Sequence, residues 1–170
     1  MTTPATDMIA LAVLAGALAG AAFCDVRQYL IPDRFPVAIV LSYALYAVSQ
    51  PWEQVLWALA VGFAMLVAGT VLFATNVMGG GDTKLLAAMG LWAGPDLAAV
   101  FLIVTAFAGA AIGIAWLTPI RRLMPAGPVE DGMPAPGAAA GWRARLRQPV
   151  PYGVAIALGG LHLTALRAFH

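Results

Sequence analysis

Of 170 residues, 62% are hydrophobic and only 10% are charged, whereas soluble domains average about 45–50% apolar and about 25% charged residues. Water is therefore not the main solvent of this chain, and at roughly 20 residues per crossing its length holds about six spans and leaves little room for a separate soluble domain. A net charge of +1 carried by scattered Lys and Arg gives no electrostatic footprint for nucleic acid, and the single cysteine, Cys24, excludes an internal disulfide and any multi-cysteine zinc module.

The first apolar run covers residues 8–23. No Lys or Arg precedes Arg27, whereas a secretion signal opens on a basic region. Phe23 is also too bulky to precede a lipoprotein-type cleavage at Cys24, so this run is read as a retained helix. Further apolar runs follow at residues 37–49, 55–75, 85–93, 97–117 and 154–168, which predicts an all-α, polytopic membrane protein with about six transmembrane helices. The second and fourth runs are short for a full crossing, so they are expected either to extend into the flanking loops, with Asp33 and Asp82 near their first turns, or to thin the bilayer locally. Residues 125–149 are rich in Pro, Ala, Gly and Arg, a composition that cannot bury a core. The chain reads as a single membrane domain over residues 1–170 with a flexible cytoplasmic loop at about 121–149, in which Arg143, Arg145 and Arg147 beside Trp142 would rest on lipid headgroups.

Basic residues of short loops are retained in the cytoplasm. With the N-terminus outside, Arg27, Arg34, Lys84, Arg121, Arg122, Arg143, Arg145 and Arg147 fall inside and only Arg167 falls outside. On the same map Trp52, Trp57 and Trp92 lie near the outer interface, with Trp116 and Trp142 near the inner one. The spacings Gly16 to Gly20 and Gly109 to Gly113 would permit close helix approach.

Two polar segments interrupt the apolar runs on the cytoplasmic side, Cys24-Asp25-Val26-Arg27-Gln28-Tyr29-Leu30-Ile31-Pro32-Asp33 and Gly79-Gly80-Gly81-Asp82-Thr83-Lys84-Leu85. Each places an aspartate at a helix end. An ionisable group at membrane depth costs about 2.5–3.5 kcal/mol on insertion scales and so faces a cavity or a partner, which makes Asp25 and Asp82 a natural pair. Two carboxylates in one site repel, so one holds a proton while the other stays ionised. The ionised member draws a proton from water, that water attacks a peptide carbonyl, and the protonated member polarises the carbonyl oxygen and assists the leaving amine. Such chemistry requires neither metal nor cofactor.

Gly79, Gly80 and Gly81 lack side chains and would admit an extended substrate backbone. The competing reading makes them a plain turn and Asp82 an N-cap. For Asp25 the competing reading is a surface carboxylate neutralised by Arg27. Asp33 follows Pro32 and precedes an apolar run, so N-capping is its leading role. Lys84 either tunes Asp82, grips a substrate carbonyl or snorkels to the interface.

Together with Pro151-Tyr152-Gly153-Val154-Ala155-Ile156 at the start of the last run, these segments resemble the type IV prepilin peptidases, membrane aspartic peptidases with a Gly-x-Gly-Asp motif. The resemblance implies Asp25 and Asp82 as catalytic aspartates. Asp33 is then supportive; Gly79, Gly80, Gly81 and Lys84 are read as substrate-binding, and Pro32, Tyr152 and Gly153 as structural support beside it. The resemblance further implies cleavage of the leader from a prepilin or pseudopilin precursor at the cytoplasmic face of the bacterial inner membrane, ahead of the mature hydrophobic helix. Longer relatives carry an added cytoplasmic portion with paired cysteines and methylate the new N-terminus. With one cysteine and no insertion between its first two helices, this chain resembles the short forms of tight-adherence (Flp-type) pili, and cleavage without methylation is expected. The alternatives are a proton- or ion-coupled transporter with the aspartates as relays, which would place polar residues deep within several helices, and a non-catalytic assembly protein, in which the aspartates need not meet. The precursor's identity and the oligomeric state are not written in the residues.

Overall fold

The computed structural model describes residues 4–117 and 152–168. The loop expected at about 121–149, with Trp142 and its arginines, lies outside the described residues. All described elements are helices: α1 (Pro4–Gln28), α2 (Arg34–Ala47), α3 (Trp52–Ala74), α4 (Gly80–Leu117) and α5 (Tyr152–Ala168). Three of them, α1, α3 and α4, are long and apolar enough to cross a membrane, and α2 is a shorter apolar helix. The chain is thus an all-α, polytopic membrane protein, as its composition requires.

The expected runs at 85–93 and 97–117 fall within the 38 residues of α4, whose backbone breaks at Gly94 (φ 57°, ψ −173°) immediately before Pro95. Proline removes a helical donor and clashes with the preceding turn, and glycine takes the positive φ at no steric cost. The break doubles the chain back. Neighbouring residues of α5 show it: Gly160 faces Met89 on the first arm, while Gly159 faces Phe101 and Thr105 on the second. At 1.5 Å per residue a straight helix would separate positions 89 and 101 by about 18 Å, so the arms must lie side by side. The six described helical segments therefore alternate in direction. One end of the bundle collects Asp25, Ile31 and Asp82, and the other collects Tyr46, Gly94 and Arg167.

Large apolar side chains such as Phe63 (67% exposed) and Phe107 (74%) point outward, as a lipid solvent permits. Packing inside relies instead on small residues that let backbones approach. A Cβ on Gly90 would stand 2.8 Å from Gly62 Cα, which presses α3 against the first arm of α4. Of the spacings noted in the sequence, Gly20 faces Phe35 and Gly109 faces Ala155, while Gly16 and Gly113 meet nothing within 4 Å among the described residues.

Trp52 and Trp57 are exposed as interface residues should be, but Trp92 is fully buried. Its indole N–H donates to the Ile39 carbonyl at 3.2 Å, and its ring packs edge-on against Tyr43 at 5.7 Å. With a partner for its one polar atom, the indole packs inside the bundle, at the end that also holds Gly94 and Arg167. Beside it, Arg167 serves the break in α4. Its Nε donates to the Trp92 carbonyl at 3.1 Å and its Nη1 to the Tyr46 hydroxyl at 3.2 Å, satisfying a carbonyl that the interrupted helix leaves without its usual donor. Arg167→Ala is expected to lower the thermal midpoint of the lipid-reconstituted protein, since an orphaned buried carbonyl costs about 1–3 kcal/mol. An unchanged midpoint would remove this role.

Candidate active site

The first aspartate lies inside α1, in its last turn, because Val26, Arg27 and Gln28 continue the helix past the apolar run. The helix ends where Tyr29 takes a positive φ of 51°, and Pro32 bars the residue before it from helical geometry. Ile31 consequently leaves the helix axis and turns inward, with 6% of its surface exposed. The Pro32 carbonyl then accepts the Phe35 N–H at 3.1 Å and starts α2.

Asp25 and Asp82 are both buried, at 4% and 8% exposure. The N-terminus of α5 serves the first. Val154 N–H donates to Asp25 Oδ2 at 3.2 Å and Gly153 N–H donates to the same carboxylate, so two of the donors that open a helix without partners are directed at a negative charge. Asp82 stands in the first turn of α4 and accepts the Gly79 N–H. Its Oδ1 is shielded from solvent and has no hydrogen-bond partner among the described residues. The two carboxylates interact electrostatically, although α1 and α4 scarcely pack on each other.

What brings them together is α5 and the Ile31 side chain. A Cβ on Gly81 would meet Ile31 Cβ at 3.0 Å, and one on Gly153 would meet Ile31 Cδ1 at 2.5 Å and Asp25 Oδ2 at 2.8 Å. Ile31 is thus wedged between the glycine loop and the start of α5. Gly79 lies equally close to Asp82, its Cβ position 3.1 Å from Oδ2. Gly80 faces Phe73 at an ordinary contact distance of 3.5 Å. Tyr152 opens α5.

Two expectations are revised. Asp33 occupies the N-cap position of α2 but makes no side-chain cap bond. Its carboxylate reaches Lys84 Nζ at 2.7 Å instead, because a charge-assisted bond outcompetes a neutral backbone donor. Lys84 is thereby engaged with Asp33, across a pair whose side chains are 54% and 69% exposed, an exposure at which such pairs contribute about 0–1 kcal/mol. Arg27, offered as a neutraliser of Asp25, lies over the Phe23 ring at 4.6 Å.

Sequence reasoning missed Ile31, the Val154 N–H and Thr83. Thr83 is buried, and its hydroxyl lies 3.1 Å from both the Gly69 carbonyl and the Gly79 carbonyl, joining α3, the glycine loop and the helix that carries Asp82. A hydroxyl directly after an acidic residue in an apolar setting was the available signal. Among the described residues no group of three or more His, Cys, Asp or Glu side chains is placed to hold a metal.

The arrangement can do two things at one end of the bundle: hold negative charge on Asp25 through two N–H donors, and present an unsatisfied carboxyl oxygen on Asp82 to a hydroxyl, water or carbonyl. Residues 12–114 match the model of the type IV leader peptidase family. The chain is 31% identical over 151 residues to a prepilin leader peptidase/N-methyltransferase of Stutzerimonas stutzeri, covering 81% of this chain and 49% of that protein. It is 31% identical over 100 residues to the protein of the same name from Xanthomonas campestris pv. campestris, covering 55% and 35%, and 29% identical over 119 residues to that of Aeromonas salmonicida, covering 66% and 41%. The chain spans about half or less of the length of these relatives. No solved structure matches it. With more than half of its residues matched by the family model, and with both aspartate segments inside that match, the chain belongs to the type IV leader peptidase family.

Proposed function

We propose that this protein is a membrane aspartic endopeptidase that cleaves the leader peptide from prepilin-like precursors at the cytoplasmic face of the bacterial inner membrane. The observation that carries the reading is that two buried aspartates, distant in sequence, stand at the same end of an apolar helix bundle with Ile31 packed between the segments that hold them. The membership of the family and the relatives' names supply the substrate class.

The roles follow from the surroundings of each carboxylate. Asp25, held by two N–H donors, is the member suited to carry charge. It takes a proton from water as the oxygen attacks the scissile carbonyl carbon. Asp82, with its unpartnered Oδ1, is the member suited to carry a proton. It donates to the carbonyl oxygen as the tetrahedral intermediate forms. Collapse of that intermediate breaks the C–N bond, with a proton passing to the departing amine. Gly79 and Gly81 lack the side chains that would press on Asp82 and Ile31, which keeps the loop close to the carboxylates, and Lys84, paired with Asp33, would have to exchange that partner to meet a substrate carbonyl.

The cytoplasmic placement is supported by charge. Among the described residues, Arg27, Arg34 and Lys84 lie at the aspartate end and Arg167 alone at the other, the bias expected of cytoplasmic loops. Acidic and basic residues of the described helices gather at the two ends of the bundle, which favours a surface cleft over a transmembrane relay. One membrane domain, crossed by six helical segments with the N-terminus outside, accords with this placement. The short α1–α2 connection, residues 29–33, and the single cysteine support cleavage without methylation, as in the short Flp-type forms.

The test is incubation of the purified, lipid-reconstituted protein with candidate prepilins and measurement of product mass. The proposal expects a precursor shortened at one site with an unmethylated new N-terminus. Intact precursors throughout would reject the peptidase reading, and a methylated product would reject the narrower one.

A further inference from the structure

The end of the bundle away from the aspartates holds a cavity of about 280 Å³. Three pieces of chain converge on it: the α2–α3 connection with the first turns of α3, the break at Gly94 and Pro95, and the last turn of α5. The break forms one wall, since a Cβ on Gly94 would stand 3.8 Å from Arg167 Nη2. Tyr43 and Tyr46 form another. Trp57 also lines the cavity and is exposed, as suits an indole at the level of lipid headgroups.

Arg167 and Asp96 line this one cavity without forming a pair, for among the described residues ion pairing is confined to Lys84 and Asp33 at the opposite end. Arg167 is half-buried. Its Nε and Nη1 are engaged by the Trp92 carbonyl and the Tyr46 hydroxyl, which leaves the donors of Nη2 without a partner among the described residues. An ionised group at membrane depth faces a cavity or a partner, and a guanidinium already held on two sides keeps its fork oriented for a carboxylate or phosphate. Asp96 sets the opposite sign on the same walls. A purely anionic ligand would meet a like charge there, whereas a ligand with an anion at one end and a cation at the other meets complementary charge at both. The amides of Gln50 and Gln54, also lining the cavity, offer neutral donors to ester oxygens.

We infer that this cavity binds the phosphoethanolamine headgroup of a membrane phospholipid, with its phosphate on Arg167 and its ammonium on Asp96. The site stands apart from Asp25 and Asp82, and the inference does not depend on the peptidase reading. The volume falls just below the range of drug-sized ligand sites, which suits a headgroup whose acyl chains stay in the bilayer. Phosphatidylglycerol brings no cation to Asp96, and phosphatidylcholine brings one that lacks N–H donors, so the two charged walls select ethanolamine. Once seated, the headgroup joins the start of α3, the break in α4 and the end of α5 through one ligand.

The test uses the purified full chain in detergent micelles, with bound lipid counted by mass spectrometry of the intact complex. Phosphatidylethanolamine, phosphatidylcholine, phosphatidylglycerol and soluble phosphoethanolamine are titrated separately. The first is expected to be retained at a concentration about tenfold below that needed for the other two lipids, the scale of one hydrogen bond to a charged group. Asp96→Asn, at an exposed position, is expected to erase that preference. Asp7→Asn, at the same end but bonded to Ser49, is expected to keep it. Arg167→Lys retains the charge without the fork and should weaken retention of all three lipids; because Arg167 also serves the break in α4, the Asp96 and Asp7 variants decide the matter if this one does not fold. Equal retention of the three lipids by the unaltered chain, an undiminished preference in Asp96→Asn, or full retention by folded Arg167→Lys overturns the inference. Loss of the preference in Asp7→Asn as well would mark a diffuse effect of surface charge and overturn it too. Soluble phosphoethanolamine bound as tightly as the lipid would overturn the lipid source and make a free phosphate ester the ligand.

Discussion

Asp25→Asn and Asp82→Asn are each expected to abolish precursor processing while leaving the protein inserted and folded. Asn keeps the shape of Asp and much of its capacity to accept the Gly153, Val154 and Gly79 N–H groups, so the helix ends should stay in place. What it cannot do is exchange a proton with water or the scissile amide. General acid–base groups contribute about 10²–10⁴-fold each, and the two aspartates act as a unit, so the double variant should be little worse than either single one. The measurement is single-turnover cleavage followed by mass, with thermal unfolding in lipid as the control. Normal processing by either variant would end the two-aspartate mechanism. A loss of activity that tracks a loss of folded protein would assign the residues to structure.

The second large effect is expected at Gly153. Any Cβ there would stand 2.8 Å from Asp25 Oδ2 and 3.0 Å from Asp25 Cγ, closer than real contacts allow. The flexible tip of Ile31, also in the way, can swing aside. The Asp25 carboxyl can yield only by leaving the N–H groups that hold it. Gly153→Val should therefore displace the carboxyl by about an ångström, and misplacement of that size costs on the order of 10²-fold in rate. Gly153→Ala should fall between this variant and the unaltered chain. The discriminating readout is turnover at saturating precursor, since a positioning defect lowers kcat while leaving KM nearly unchanged. Full turnover with a raised KM would instead make Gly153 a substrate contact.

The fold class was legible because it follows from bulk apolarity, and the helix ends were nearly so. Asp82 and Asp33 stand where short apolar runs were expected to extend, and the Gly94-Pro95 break separates the two runs of α4. Of the site, the sequence offered two acidic segments, and both of their aspartates are buried at one end of the bundle. How they are held there was not legible, since it depends on contacts between residues far apart in sequence. Nothing in a linear pattern says that Ile31 fills the space between Gly81 and Gly153, or that a backbone N–H 129 positions away is bonded to Asp25. A local rule misjudged Asp33 for the same reason. A cap is a local preference, and it gave way to a partner from another helix, Lys84.

The hydrogen bond from Val154 to Asp25 also sets an order of events. The helix that furnishes those donors is the last of the described elements to leave the ribosome, so every earlier segment is synthesised before Asp25 has its partners. A half-made chain would hold both acidic side chains before the backbone donors of α5 exist, so the arrangement around Asp25 would be complete only once α5 has been made.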